Sequence, residues 1–191
     1  MRLLKTQSIK YLALIFLGLT FVACDNDDPE PVNEEELITT VRVTFENTAN
    51  AQDVVTAVFQ DLDGPGGNDP VLTNPTLTAN STYTVTIKFL NEQETPAEDI
   101  TEEVSEEDDE HQVFFVAGTG LNLTYEYGDE DGDGNPLGLT GTATTGAAGT
   151  GNLTVSLIHE PTKSATGVNE GDPTNAGGEA DVEVTFTTTI Q

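Results

Sequence analysis

Apolar side chains return at every second position along this chain, in short runs closed off by Gly, Asn, Asp and Pro. TTVRVTFE (39–46) alternates Val41, Val43 and Phe45, and AQDVVTAVFQ (51–60) alternates Val55, Ala57 and Phe59. STYTVTIKFL (81–90) alternates Tyr83, Val85, Ile87 and Phe89. QVFFVAG (112–118), LNLTYEY (121–127), NLTVSLI (152–158) and ADVEVTFTTTI (180–190) complete the clear set. A period of two is that of a strand with one buried face, and Val, Thr, Phe and Tyr suit the pleated surface. Strands of this kind hide their apolar faces when two antiparallel sheets stack. The expected fold class is therefore all-β, an antiparallel β-sandwich. Two weaker runs, 71–78 and 138–145, read as short edge strands, and the Gly/Ala/Thr-rich stretch 141–151 as flexible turn or edge strand.

The pattern also repeats. Residues 55–92 fall on 123–160 without a gap: Asp61, Asp63, Gly64 and Gly66 meet Asp129, Asp131, Gly132 and Gly134, and Phe59 meets Tyr127. Val85, Ile87 and Phe89 meet Leu153, Val155 and Leu157. This suggests two tandem β repeats, about 39–110 and 111–190, sharing one core within a domain 38–191. In LTANSTY (77–83), a Leu six residues before a Tyr that opens an alternating strand resembles the tyrosine corner of immunoglobulin/fibronectin-III-like sandwiches. The resemblance implies that the Tyr83 hydroxyl turns back to nearby backbone. One short acidic helix is expected in TPAEDITEEVSEEDDEH (95–111), with Thr95 as N-cap, Pro96 at the first helical position and Glu98 closing a capping box. Glu106 to Glu110 then crowd the end where the helix dipole favours positive charge, so that end is expected to fray into water unless a cation meets it.

The first 23 residues read as an address. Arg2, Lys5 and Lys10 precede the apolar run YLALIFLGLTFVA (11–23), which is too short for a bilayer core needing about 20 residues. It ends in Phe21-Val22-Ala23-Cys24, which resembles the lipobox of bacterial lipoproteins. That resemblance implies lipidation of Cys24, the only cysteine, and membrane anchorage through it. No thiol then remains for disulfide or redox chemistry. DNDDPEPVNEEE and its neighbours (24–37) read as an acidic disordered tether. An acidic run just after the Cys is similar to the export signal of some surface lipoproteins. It implies the outer face of the outer membrane, with the periplasmic face as the alternative. The formal net charge is −28, and beyond Cys24 the only basic residues are Arg42, Lys88 and Lys163. Such a surface repels phosphates, which excludes nucleic acid as a partner.

Two constellations carry candidate chemistry. In YGDEDGDGNPLG (127–138) the acids Asp129, Asp131 and Asp133 alternate, with Gly134 and Asn135 following. This spacing suits a calcium loop, although Thr140 stands where an EF-hand would place its bidentate Glu, and no helix flanks the loop. The first-repeat copy offers Asp61, Asp63 and Asp69, with Pro65 in place of a third alternating acid. Asp and Gly also favour plain turns, so both loops admit that reading. The second constellation is Glu110-His111, before one strand, and His159-Glu160, ending another. Strands that alternate up and down bring both pairs, and both acidic loops, to one end of the domain. A second metal site with histidine and carboxylate ligands, suited to zinc or another transition metal, is then available; two solvated histidines are the alternative.

No Gly-x-Ser-x-Gly context, free thiol or phosphate-binding loop supports catalysis, and the chain has no Trp for sugar stacking. The lipobox, the acidic tether, TPAEDITEEV and DGDGNPLG together resemble small acidic surface lipoproteins of Gram-negative bacteria. Some of these carry the label type 1 periplasmic binding fold superfamily, which implies two α/β lobes; the period-two pattern here implies strands instead. The expected function is a lipid-anchored, non-enzymatic envelope or surface β module with cation-binding loops, acting in adhesion, envelope structure or ligand capture. The alternative is a solute- or metal-capturing lipoprotein serving an outer-membrane transporter.

Overall fold

A computed structural model describes residues 36–64 and 66–191. The signal segment 1–23, Cys24, the tether as far as residue 35, and Pro65 lie outside the described residues. In order come β1 (Thr40–Asn47), β2 (Val54–Gln60), β3 (Val71–Thr73), β4 (Thr76–Leu77), β5 (Thr82–Asn91), β6 (Glu98–Asp99), α1 (Ile100–Glu106), β7 (His111–Ala117), β8 (Leu123–Tyr127), β9 (Thr140–Thr145), β10 (Gly149–His159) and β11 (Glu179–Ile190). One sheet runs β3-β2-β1-β5-β9-β8, with β6 also pairing the end of β5. The other runs β4-β11-β10-β7. All pairings are antiparallel except β4 with β11.

The inward residues of both sheets form one core. Val41, Val43, Phe45, Tyr83, Val85, Ile87 and Phe89 come from the first sheet; Val113, Phe115, Leu153, Val155, Leu157, Val184 and Phe186 come from the second. This is the all-β sandwich that the alternation implies. The two sequence halves are not separate bodies: β5 of the first pairs β9 of the second. Their hairpins also diverge, because β1 and β2 pair within one sheet whereas the corresponding β7 and β8 lie in different sheets.

The tyrosine corner is present. The Thr78 amide donates to the Tyr83 hydroxyl at 2.7 Å, and Tyr83 and Leu77 are fully buried. Tyr83→Phe would leave that amide without its acceptor, costing about 1–3 kcal/mol. Urea unfolding checks this; a variant as stable as the wild type would show the bond to be idle.

Three local expectations are corrected. The run 138–145 supplies an interior strand, β9, held between β5 and β8 rather than at an edge. Gly141 permits this, since a Cβ there would collide with the Tyr125 ring and the Glu126 carbonyl. The helix begins at Ile100 with Asp99 as N-cap, its carboxylate accepting from the Thr101 amide at 3.3 Å, not at Thr95. Glu98 and Asp99 are instead drawn onto Leu90 and Asn91 as β6, so tertiary pairing overrides the capping box. The acidic C-terminal end of α1 meets a cation, Lys163, whose Nζ donates to the Asp108 carbonyl at 2.5 Å.

Candidate metal centre

β7 begins at His111 and β10 ends at His159, and the two residues are direct partners in the antiparallel ladder. Each shares the parity of the core-facing residues of its strand, Val113 and Phe115 in β7, Val155 and Leu157 in β10. Alternation therefore carries both imidazoles to the inner face, at the rim of the core. Their rings stack at 4.6 Å between centroids, 17° from parallel.

β11 adds the third side chain through a register fault. Leu157 pairs Val182 but Ile158 pairs Ala180, so Asp181 is an extra residue in a β-bulge. Strict alternation from Val182, Val184 and Phe186 would turn Asp181 outward. The bulge re-aims it instead: its side chain is 1% exposed, with Oδ2 3.9 Å from His111 Nε2. The fourth comes from the segment before β1. Glu36, which the sequence alone assigns to the tether, has a side chain only 4% exposed and its Oε1 is 3.0 Å from His111 Nε2. One potential ligand atom from each of Glu36, His111, His159 and Asp181 lies within 4.8 Å of all the others. This buried cluster could hold a metal ion.

The hydrogen bonds around it fix which atoms are available. His111 Nδ1 lies 3.1 Å from the Glu107 carbonyl, which can only accept, so Nδ1 carries the proton. His111 Nε2 then faces the Glu36 carboxylate with its lone pair, a contact that calls for a proton or a cation between them. His159 Nε2 points at the Glu110 carboxylate at 3.5 Å, while its Nδ1 is buried with no hydrogen-bond partner in the protein. Glu36 Oε2 is likewise buried and unpartnered. Burial works to lower the pKa of His159, but the Glu110 contact and the charges of Glu36, Asp181 and Glu160 outweigh it and raise it.

Of the predicted residues, His111 and His159 are therefore brought together. Glu110 stands beside them with its side chain half-exposed, as an orienting partner. Glu160 is exposed and contributes no ligand atom to the cluster; its amide donates to the Glu110 carbonyl at 2.6 Å. Glu36 and Asp181 had no distinguishing signal: one ends an acidic run, and the other sits where alternation points outward.

The acidic loops are otherwise engaged. Asp129 accepts from the Gly138 and Thr140 amides at 2.7 and 2.8 Å, tying the loop to β9. Asp131 Oδ1 accepts from the Asp133 and Asn135 amides at 3.0 and 2.8 Å. Its Oδ2 holds Lys163 Nζ at 3.0 Å, with both side chains buried. Asp133 is exposed, and the Asn135 side chain donates to Asp131 rather than offering its oxygen there. The loop expected to take calcium thus holds a lysine as its internal cation. In 61–69, Asp61 accepts from the Gly64 amide at 2.9 Å, Asp63 from the amide and side chain of Asn68, and Asp69 is exposed. These are turn-closing roles. Neither set of acids gathers as a ligand group among the described residues.

Comparison of the chain with protein families, with curated proteins and with solved structures finds no match in any of the three.

Proposed function

We propose that this protein is a lipid-anchored, non-enzymatic module of the Gram-negative outer membrane, surface-exposed, whose β-sandwich carries a resident metal ion. Its role falls within adhesion, envelope structure or ligand capture, with Cys24 as the membrane anchor. The observation that carries the metal reading is the buried cluster of Glu36, His111, His159 and Asp181. Its ligand atoms lie close to one another, on side chains that are all buried. A closed set of side chains is characteristic of structural ions, whereas catalytic ions keep an open position for water or substrate. The cation reading thus moves from the acidic loops to the histidine pair. Support for calcium at 129–135 is weakened by Lys163, which already neutralises Asp131.

Elemental analysis and equilibrium dialysis of the purified full-length protein test this. One tightly held ion per chain is expected, lost in His159→Ala. Sub-stoichiometric metal that is unaffected by His159→Ala would contradict it. The alternative, a metal-capturing lipoprotein serving an outer-membrane transporter, is favoured by the half-exposed Glu110 at the edge of the cluster. It requires release of the ion within seconds to a competing chelator; retention over hours supports the structural role.

A further inference from the structure

Resting on the metal-binding reading, the geometry points to a narrower assignment: we propose a four-ligand zinc(II) site that fastens the segment leading into β1 to the starts of β7 and β11. Glu36 and Asp181 supply one carboxylate oxygen each, His111 supplies Nε2, and His159 supplies a ring nitrogen, of which Nδ1 is the one no protein group engages.

The donor set carries the choice of ion. Two imidazole nitrogens suit zinc and its transition-metal neighbours, whereas calcium and magnesium seek six or more oxygens. The number and closure of the donors fit a structural zinc: four ligands, with side chains between 0% and 9% exposed. Zinc bonds of about 2.0–2.2 Å set the edges of a tetrahedron near 3.4 Å. The distances from His111 Nε2 to Glu36 and Asp181, 3.0 and 3.9 Å, bracket that value. The four ligand atoms all lie within 4.8 Å of one another, and the two rings, stacked 17° from parallel, turn to bring both nitrogens onto one ion.

The outer partners agree. A ligating histidine characteristically donates its second N–H to a carbonyl or carboxylate. His111 does so to the Glu107 carbonyl, and His159 is turned that way toward Glu110. Charge agrees as well. Two buried carboxylates, in a chain of net charge −28, favour a divalent cation inside the cluster. Glu36 matters most for consequence, because it alone among the four precedes β1. Filling the site therefore pins the point where the chain enters the sandwich.

The test uses full-length protein stripped with chelator, then titrated with zinc, cobalt(II), calcium or magnesium. Cobalt should bind one per chain with the intense visible absorption of a tetrahedral ion, and zinc should displace it. Glu36→Gln and Asp181→Asn should each weaken zinc binding at least tenfold, by analogy with the 10–100-fold losses typical when a ligand's supporting partner is removed, with circular dichroism confirming that the fold is kept. Zinc should also slow amide exchange in residues 36–40 of the wild type, and not in Glu36→Gln. Weak octahedral absorption, a preference for calcium, or a Glu36→Gln protein that binds zinc normally would overturn the zinc assignment while leaving metal binding intact. Failure to bind any of these ions would overturn both.

Discussion

Replacing Lys163 by Met is expected to destabilise the domain by about 3–5 kcal/mol at neutral pH, because it leaves a buried carboxylate without its cation. Lys163 and Asp131 have side chains 6% and 1% exposed and meet at 3.0 Å. The same ammonium caps the Asp108 carbonyl just past α1. One side chain thus joins the acidic loop 128–136, the end of the helix and the segment between β10 and β11. Burial on its own would raise the pKa of Asp131. The amide and side chain of Asn135, together with Lys163, outweigh it and hold the carboxyl down to about 2 from 3.8. A depressed carboxyl stabilises the fold above its unfolded value and loses that contribution as pH falls through the folded one. The window is therefore roughly pH 4 to 2, and the shift is worth about 2 kcal/mol. Denaturant unfolding of wild type and Lys163→Met should differ most at neutral pH and converge toward pH 2. Adding Asp131→Asn should recover part of the loss, since the amide oxygen still accepts from residues 133 and 135 and no charge is left buried. A pH-independent gap would mean that Lys163 acts through packing alone.

Phe114→Ala should cost about 3–5 kcal/mol, the range for a fully buried aromatic. Phe114 faces away from the main core, on the outer side of the second sheet, and is completely buried there against Val168 and Ala176 with Ile158 and Ala165 around them. The cover is the segment between β10 and β11, held also by Gln112, whose side chain donates to the Val168 carbonyl at 3.0 Å and to the Tyr127 hydroxyl at 3.1 Å. Lys163 belongs to the same cover. The two losses should therefore combine to less than their sum, because either one frees the segment that the other holds. Strict additivity, read from a double-mutant cycle, would show that the lysine and the aromatic anchor separate units.

What the sequence disclosed is what is local. The strands announce themselves through alternation, which depends only on neighbours two apart. The corner at Leu77 and Tyr83 is legible for the same reason. The meeting of His111 and His159 follows from strand ends and direction. What it concealed is set by distant partners. Thr95, Pro96 and Glu98 spell a helix start, yet β5 captures Glu98 and Asp99. Asp129, Asp131 and Asp133 have the spacing of a calcium loop, yet Asp131 is also paired with a lysine from another segment. Asp181 is turned inward by a bulge that the alternating pattern of β11 gives no reason to expect. Glu36 is chemically indistinguishable from the acids before it. The scarcity of basic residues beyond Cys24, three in all, is the one signal that bears on Lys163, since each cation in so acidic a chain has many carboxylates competing for it.

The most direct test of the metal centre is a thermal melt of full-length protein, chelator-stripped and then supplied with zinc, beside His159→Ala treated alike. At free zinc about 1,000-fold above its dissociation constant, binding adds about 4 kcal/mol. For a domain of this size that is a rise of roughly 8–16 °C in Tm. The account predicts this rise in the wild type and its loss in His159→Ala. An unchanged midpoint, or the same rise in both proteins, would contradict it.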